Sequence, residues 1–436
     1  MAILAAIWIT VQIAVVCVMQ RQPLSSDALR YVTLAADSAR EGTMYPSPEI
    51  FGWIPEFNDH HPAYICYAGL INYFSLCLTI FGSWKSILWL NILLNCISAA
   101  SIWKIARTLA GNKIAMFTAA IFMLSPQPVN LAALCMPEVP FMALTFASLA
   151  LLCSRRFMAA AVAGILLAAA CYIRSVAILF GISAVLGLLF LRCRMKQCAI
   201  YISSAALCVI AILAINRINT GHTFFSSTTL GVNMLIGAND ACQGYYNNAP
   251  GVSDKIDSIA KGRNLFELND IQRDHALEWI EKHPDKWVML GFRKIFYQFK
   301  RPSFDYYISL GIADMSIPSE RLIMTGLDYY SYLYQLLLYI LALAGLIITC
   351  RRYLLKDVIV LLPLLGGIAL SILTVGSPRY NVPYIPIFAY FASHACVRLS
   401  GIIANKILIN EKNIYCSGTG PYRCRLATFS PSSIRE

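Results

Sequence analysis

Ten apolar runs follow one another along the chain, most near the roughly 17–25 residues that carry a helix across a bilayer. They are Ala2–Met19, Ser86–Trp103, Ile114–Leu134, Val139–Cys153, Met158–Ile173, Val176–Leu191, Cys198–Ile215, Tyr332–Cys350, Val358–Val375 and Val382–Val397. Pro126 and Pro128 interrupt the third run. An eleventh apolar stretch, Ala63–Phe81, lies between the first and second. Two polar segments break the series, Ser25–Pro62 and Gly221–Tyr330, and a Ser-, Gly- and Arg-containing tail follows Asn410. Within the first polar segment, Leu29, Val32, Thr33, Ala36 and Ala39 can share a helical face. Within the second, residues 231–251 read as irregular or short strand. Residues 264–299 read as two amphipathic helices broken at His283-Pro284.

Charge orders these runs into a topology. The basic clusters are Lys104/Arg107/Lys113, Arg155/Arg156, Arg192/Arg194/Lys196, Arg351/Arg352/Lys356 and Arg398/Lys406/Lys412. All five fall on the cytoplasmic side if ten runs cross and Ala63–Phe81 lies against the outer face. Thirteen of the 23 acidic residues then lie in the 221–330 loop and six between Asp27 and Asp59. The expected fold is an all-α polytopic membrane protein with about ten transmembrane helices. It would have juxtamembrane helices in the first outer loop and one modest α-rich extracytoplasmic loop. Residues 1–217 form an N-terminal transmembrane module whose first outer loop spans 20–85. Residues 218–330 form the outer loop domain, 331–400 a C-terminal transmembrane module and 401–436 a cytoplasmic tail. The first run lacks a basic lead and a small-residue cleavage site and reads as a retained span. The aliphatic, short-loop style suggests a bacterial inner membrane, with both termini cytoplasmic and the polar chemistry facing the periplasm.

Composition agrees. The 436 residues are 58% hydrophobic and 13% charged, where a soluble domain is nearer one-quarter charged. The net charge of +12 is dispersed in short clusters between apolar runs, which speaks for topology and against nucleic acid. Most of the 15 cysteines sit in apolar runs, where they act as small hydrophobes.

The outward-facing polar residues near the membrane are Asp27, Asp59, His60, His61, Lys85, Glu138, Arg174, Arg379 and Tyr380. Interfacial cations can hold a phosphate, Arg bidentately and Lys as a point charge. A neighbouring carboxylate can accept a proton from an attacking hydroxyl. Both are needed beside a bilayer for group transfer from a lipid-linked phosphate donor. Each residue also has a plainer role: helix capping for Asp27 and Glu138, interfacial anchoring for Lys85, Arg174 and Arg379, and the aromatic belt for Tyr380. The adjacent His60 and His61 do not chelate one ion alone. Asp59 and Glu56 could complete a set, but no metal and no cofactor enters the preferred reading.

Several motifs occur in order: Ser26-Asp27 with Arg30-Tyr31, the His61-Pro62 turn, Phe81-Gly82, Pro137-Glu138, Arg174 after a small-residue helix, and Ser377-Pro378-Arg379-Tyr380 with Pro383 and Pro386. In that order the chain resembles the GT-C membrane glycosyltransferases, specifically the protein O-mannosyltransferase and aminoarabinose transferase group. The resemblance implies Asp27 as base or acceptor-orienting acid and Glu138 as a second outer acid. It implies Lys85, Arg174 and Arg379, with Tyr380, as contacts to the donor phosphate, and Asp59, His60 and His61 as further substrate contacts. The chain departs from many of these enzymes in having Asp27-Ala28 for Asp-Glu and in lacking a recognisable carbohydrate-binding module. The implied reaction moves a sugar from a polyprenyl-phosphate donor to a lipid, glycan or protein acceptor by inversion. A lipid-linked saccharide flippase and a lipid-linked glycan polymerase or ligase are the alternatives. The scarcity of ionisable residues at mid-span weighs against a transporter.

Overall fold

In the computed structural model the chain is all-helical. The structure describes residues 1–21, 24, 26–44, 67–227, 229–245, 258, 265–300 and 316–417. The helices are α1 (Ala2–Met19), α2 (Ser26–Glu41), α3 (Ala68–Phe81), α4 (Lys85–Ala110), α5 (Asn112–Leu124), α6 (Pro126–Ala132), α7 (Glu138–Leu152), α8 (Phe157–Ile173), α9 (Ala177–Leu186, continued by a π turn Gly187–Leu191), α10 (Met195–Thr220), α11 (Leu230–Gly237), α12 (Leu265–Lys282), α13 (Pro284–Phe299), α14 (Pro318–Leu373) and, after a 3-10 segment Pro378–Tyr384, α15 (Ile385–Ser417). Among the described residues five helices are long and apolar enough to cross a membrane, or six if the bent pair α5–α6 is one span. The protein is therefore a polytopic membrane protein. That count is below the ten runs read from sequence for two reasons. Residues 139–153, 158–173 and 176–191 fold into shorter apolar helices of 15, 17 and 10 residues, the last extended by the π turn. Two further runs are merged into α14.

α14 is not one rod. Its 56 residues would measure about 84 Å at 1.5 Å per residue, and Tyr353 has non-helical backbone angles (φ −138°, ψ 38°). Contacts with α15 show the chain reversing there. Before Tyr353, Tyr339 meets Phe388 and a Cβ on Gly345 would meet the Phe391 carbonyl, so both helices ascend together. After Tyr353, Lys356 lies over Tyr390 whereas Gly367 meets Tyr384, so the numbering runs oppositely. α14 is thus two helices, 318–352 (α14a) and 354–373 (α14b), folded into a hairpin.

The proline signal in the third run is realised as a 55° bend between α5 and α6. The bend frees the Ile121 and Leu124 carbonyls, which accept from the hydroxyls of Tyr334 (2.7 Å) and Tyr330 (2.5 Å). Two amides one turn apart on α4 hold carbonyls in α6 and just beyond it. Asn95 Nδ2 donates to the Pro128 carbonyl (2.8 Å) and to Gln12 Oε1 of α1 (2.8 Å). Asn91 Nδ2 donates to the carbonyls of Leu134 (3.0 Å) and Ala132 (3.3 Å). These bonds fix the segment that leads into Glu138.

The polar segments differ in part from the pattern reading. α2 buries Ala28, Tyr31, Val32 and Ala35 while Leu29 is exposed, so its packed face is turned from the one drawn through Leu29 and Ala36. Residues 230–237 form a helix rather than a strand, because Met234, Leu235 and Ile236 are buried. The break at His283-Pro284 stands where the sequence puts it.

Replacing Asn91 with Leu leaves the Ala132 carbonyl without its side-chain donor and the Leu134 carbonyl with the Met136 amide alone, and a buried acceptor left unsatisfied costs about 1–3 kcal/mol. Asn91→Leu is expected to unfold at a lower temperature than wild type in detergent, and an unchanged transition would refute this role.

Candidate active site

The site is assembled from four helix ends. Asp27 stands in the first turn of α2, Glu138 is the first residue of α7, Arg174 follows the last residue of α8, and Arg379 lies in the 3-10 segment. Glu138 is at the centre. Its Oε1 accepts from Arg379 Nε (2.5 Å) and Arg174 Nη1 (2.9 Å), and its Oε2 accepts from Arg379 Nη2 (3.2 Å). Arg379 Nη1 in turn donates to Asp27 Oδ2 (3.1 Å). Side-chain exposure falls inward, from 43% at Asp27 to 19% at Arg379, 10% at Arg174 and none at Glu138. Only Asp27 of the two carboxylates is open to an incoming molecule.

Charge is arranged accordingly. Glu138 with its two arginines carries a net charge of +1 in a nearly water-free setting. Asp27 balances that charge from the accessible side. The helix N-terminus under Glu138 adds partial positive charge, and the Arg174 guanidinium is surrounded by the rings of Tyr67, Phe141 and Tyr380 at 5.5, 5.9 and 6.0 Å. Such faces favour a cation by about 0.5–2 kcal/mol each.

The polar segment after α10 fixes Arg379 by holding the backbone on both sides of it. Gly376 N donates to the Gly244 carbonyl (2.9 Å), and Tyr245 pairs with Gly376 in a single parallel bridge. Gly376 has no room for a side chain: a Cβ there would stand 2.1 Å from the Lys294 carbonyl. Lys294, buried on α13, donates from Nζ to the Ile372 carbonyl at the end of α14 (2.7 Å), and burial lowers its pKa to about 8. Beyond Arg379, Asn381 exchanges hydrogen bonds with Gln298 (3.0 and 2.6 Å). Arg174 is set by a comparable crossing. A Cβ on Gly69 would strike the Tyr172 backbone at 2.6 Å, and Tyr67 adopts a left-handed conformation (φ 56°) that turns its ring toward the guanidinium.

The sequence-derived residues therefore divide. Asp27, Glu138, Arg174, Arg379 and Tyr380 come together. Lys85 is exposed at the start of α4, with no ion pair to the cluster among the described residues. Asp59, His60 and His61 lie outside the described residues. Tyr67, Phe141, Asn91 and Gly376 were not identified from the sequence. For Asn91 and Asn95 there was a usable signal, two amides one turn apart in an apolar helix next to the Pro126/Pro128 break.

Removing one partner of a buried ion pair costs about 3–5 kcal/mol, whereas an exposed pair is worth about 0–1 kcal/mol. Glu138→Gln is thus expected to lower thermal stability far more than Asp27→Asn, and equal effects in the same detergent would contradict the burial gradient.

The model of the dolichyl-phosphate-mannose-protein mannosyltransferase family matches residues 62–216. No curated protein matches. Among solved structures the chain is similar to the archaeal oligosaccharyltransferase of Archaeoglobus fulgidus. Its apo form shares 11% identity at a TM-score of 0.49, over 95% of this chain and 53% of that one. The form tethered to an acceptor peptide gives 12% and 0.47 over 89% and 49%. The complex with an inhibitory peptide and a dolichol-phosphate gives 11% and 0.47 over 96% and 52%. The chain spans about half the length of that protein. Residues 62–216 run from ahead of α3 through most of α10 and include Glu138 and Arg174, so the part of the chain similar to that family carries two of the four charged residues of the cluster.

Proposed function

We propose that this protein moves a sugar from a polyprenyl-phosphate donor to an acceptor at the membrane face that carries Asp27, with inversion at the anomeric carbon. The observation that carries the reading is Arg379, shared between a buried carboxylate and an accessible one. A sugar–phosphate–lipid diester bears one negative charge, which the net +1 of the Glu138–Arg174–Arg379 group complements. Asp27 takes the acceptor hydroxyl proton. The acceptor oxygen bonds to the anomeric carbon, and the bond from that carbon to the phosphate oxygen breaks with its electron pair. The phosphate then gains a second negative charge. Its second pKa is near 6, so it leaves at neutral pH with little acid help. Protonating Asp27 frees the Nη1 edge of Arg379 as that charge develops, so the arginine passes from carboxylate to leaving group. Glu138 is a positioning residue that holds both arginines, and Tyr380 packs beside Arg174.

In this reading about ten helices cross the membrane, the shorter apolar ones included, and the basic clusters face the cytoplasm. The active face is then periplasmic in a bacterium. Asp59, His60, His61 and Lys85 are left as further contacts to the sugar or phosphate. The acceptor is a lipid, glycan or protein.

The test is a proteoliposome assay with a panel of polyprenyl-phosphate monosaccharides, read by mass spectrometry. Wild type is expected to release free polyprenyl phosphate from at least one donor. Asp27→Asn, folded, should lose about 10²–10⁴-fold in turnover, the usual range for a general base. Turnover retained by Asp27→Asn would overturn the assignment.

A further inference from the structure

At the other end of the helices from Asp27 lies an apolar groove of about 170 Å³, lined by Ile105 of α4, Phe146 of α7, Gly187 of the π turn, Ile359 and Pro363 of α14b, and Ile387 of α15. α9 and its π turn, 177–191, carry the chain about 22 Å from the Arg174 end, and Arg192 follows as a lining residue of the groove. Two features keep the groove open. The π turn widens the helix, a distortion that recurs at functional sites. Pro363 cannot donate to the Ile359 carbonyl, which instead accepts from Ser183 Oγ (2.5 Å), tying α9 to α14b. A Cβ on Gly187 would meet only Ile359 Cγ2, at 4.0 Å, so the glycine leaves space that a side chain would fill.

The groove's edge carries two cations, Arg192 and Lys356, and beside Lys356 the buried carboxylate of Asp357. Arg192 has no hydrogen bond or ion pair among the described residues. Its neighbour Arg194 is occupied, donating to the Ser154 carbonyl (3.1 Å) and Gln197 Oε1 (3.3 Å) in the α7–α8 turn. Lys356 lies one turn before Ile359 and Val360 on the same helical face and has no ion pair among the described residues. Its Nζ stands over the rings of Tyr353 (4.2 Å) and Tyr390 (6.0 Å), and Tyr390 lines the groove. Leu191, which lines the groove, is an exposed apolar residue, as lipid-facing positions are in a spanning bundle. An apolar groove of this size takes part of an acyl chain, and Arg192 and Lys356 at its edge, remote from the catalytic cluster and outnumbering Asp357, suit an anionic headgroup.

We propose that this groove binds an anionic glycerophospholipid of the leaflet opposite the active site, its acyl chain in the slot and its phosphate against Arg192 and Lys356. This site is separate from the donor's phosphate position, so its occupancy is measured without reference to sugar transfer.

The full-length protein, purified in detergent, is incubated in turn with phosphatidylglycerol, phosphatidylcholine and polyprenyl phosphate, and retained lipid is read by native mass spectrometry. Wild type is expected to retain phosphatidylglycerol at least about tenfold more than phosphatidylcholine, a difference of about 1.4 kcal/mol. Arg192→Gln/Lys356→Gln should remove that preference. Gly187→Phe should reduce retention of both phospholipids by filling the slot. Arg192→Gln alone, a half-exposed change, repeats the charge test if the double variant does not fold. Equal retention of the two phospholipids by wild type, or a preference surviving loss of both cations, would overturn the proposal. Displacement of phosphatidylglycerol by polyprenyl phosphate, with that binding lost in Gly187→Phe, would overturn it too and give the groove to the donor's chain.

Discussion

Two guanidinium groups repel each other, and burying them side by side is tolerable only when a carboxylate lies between them. Glu138 is that carboxylate, fully buried and bonded to Arg174 and Arg379. Without it, one helix end and a 3-10 segment would carry uncompensated buried charge, at several kcal/mol per ion. Buried ion pairs are weak evidence for stability as such. Here the pair carries a consequence for chemistry, because it holds a guanidinium beside the exposed Asp27 and leaves one positive charge facing the site.

Neutral groups position that cluster. Carbonyls in α6 and just beyond it lie buried, and Asn91 and Asn95 donate to them. The same bonds pin residues 132–134 and so locate Glu138 four residues on. On the other side, the polar segment after α10 grips the chain from Ile372 to Asn381 through Lys294, Gly244 and Gln298. The loop thus acts as a clamp on the segment bearing Arg379. A glycine at 376 is required because two backbones pass too closely for a Cβ.

Much of this was legible in the sequence and some was not. Apolar runs, proline breaks and the Asp27, Glu138, Arg174 and Arg379 set are properties of composition and order. The His283-Pro284 break follows from local backbone chemistry alone. The contacts that make the set a site join residues 241 and 352 positions apart, and no local pattern encodes such pairings. The packed face of α2 lies a fraction of a turn from its larger apolar residues, because small ones, Ala28 and Ala35, mark its buried side while Leu29 stands open. Residues 230–237 are glycine- and asparagine-containing yet helical, because burial of Met234 and Leu235 outweighs local propensity. The reversal within α14 left a clear trace in Arg351, Arg352 and Lys356, since charged residues do not sit at mid-bilayer. Tyr67 gave no sequence signal, since an aromatic residue before an apolar helix has many ordinary roles.

In the proposed reaction Asp27 and the donor phosphate take Arg379 in turn. The deciding measurement is the affinity of purified wild type and Asp27→Asn for a polyprenyl phosphate at neutral pH, in one detergent. Tighter binding by Asp27→Asn is expected, because the competing carboxylate is gone while Glu138 still holds the arginine. Weaker binding by Asp27→Asn than by wild type would contradict it and would make Asp27 a ligand of the donor instead.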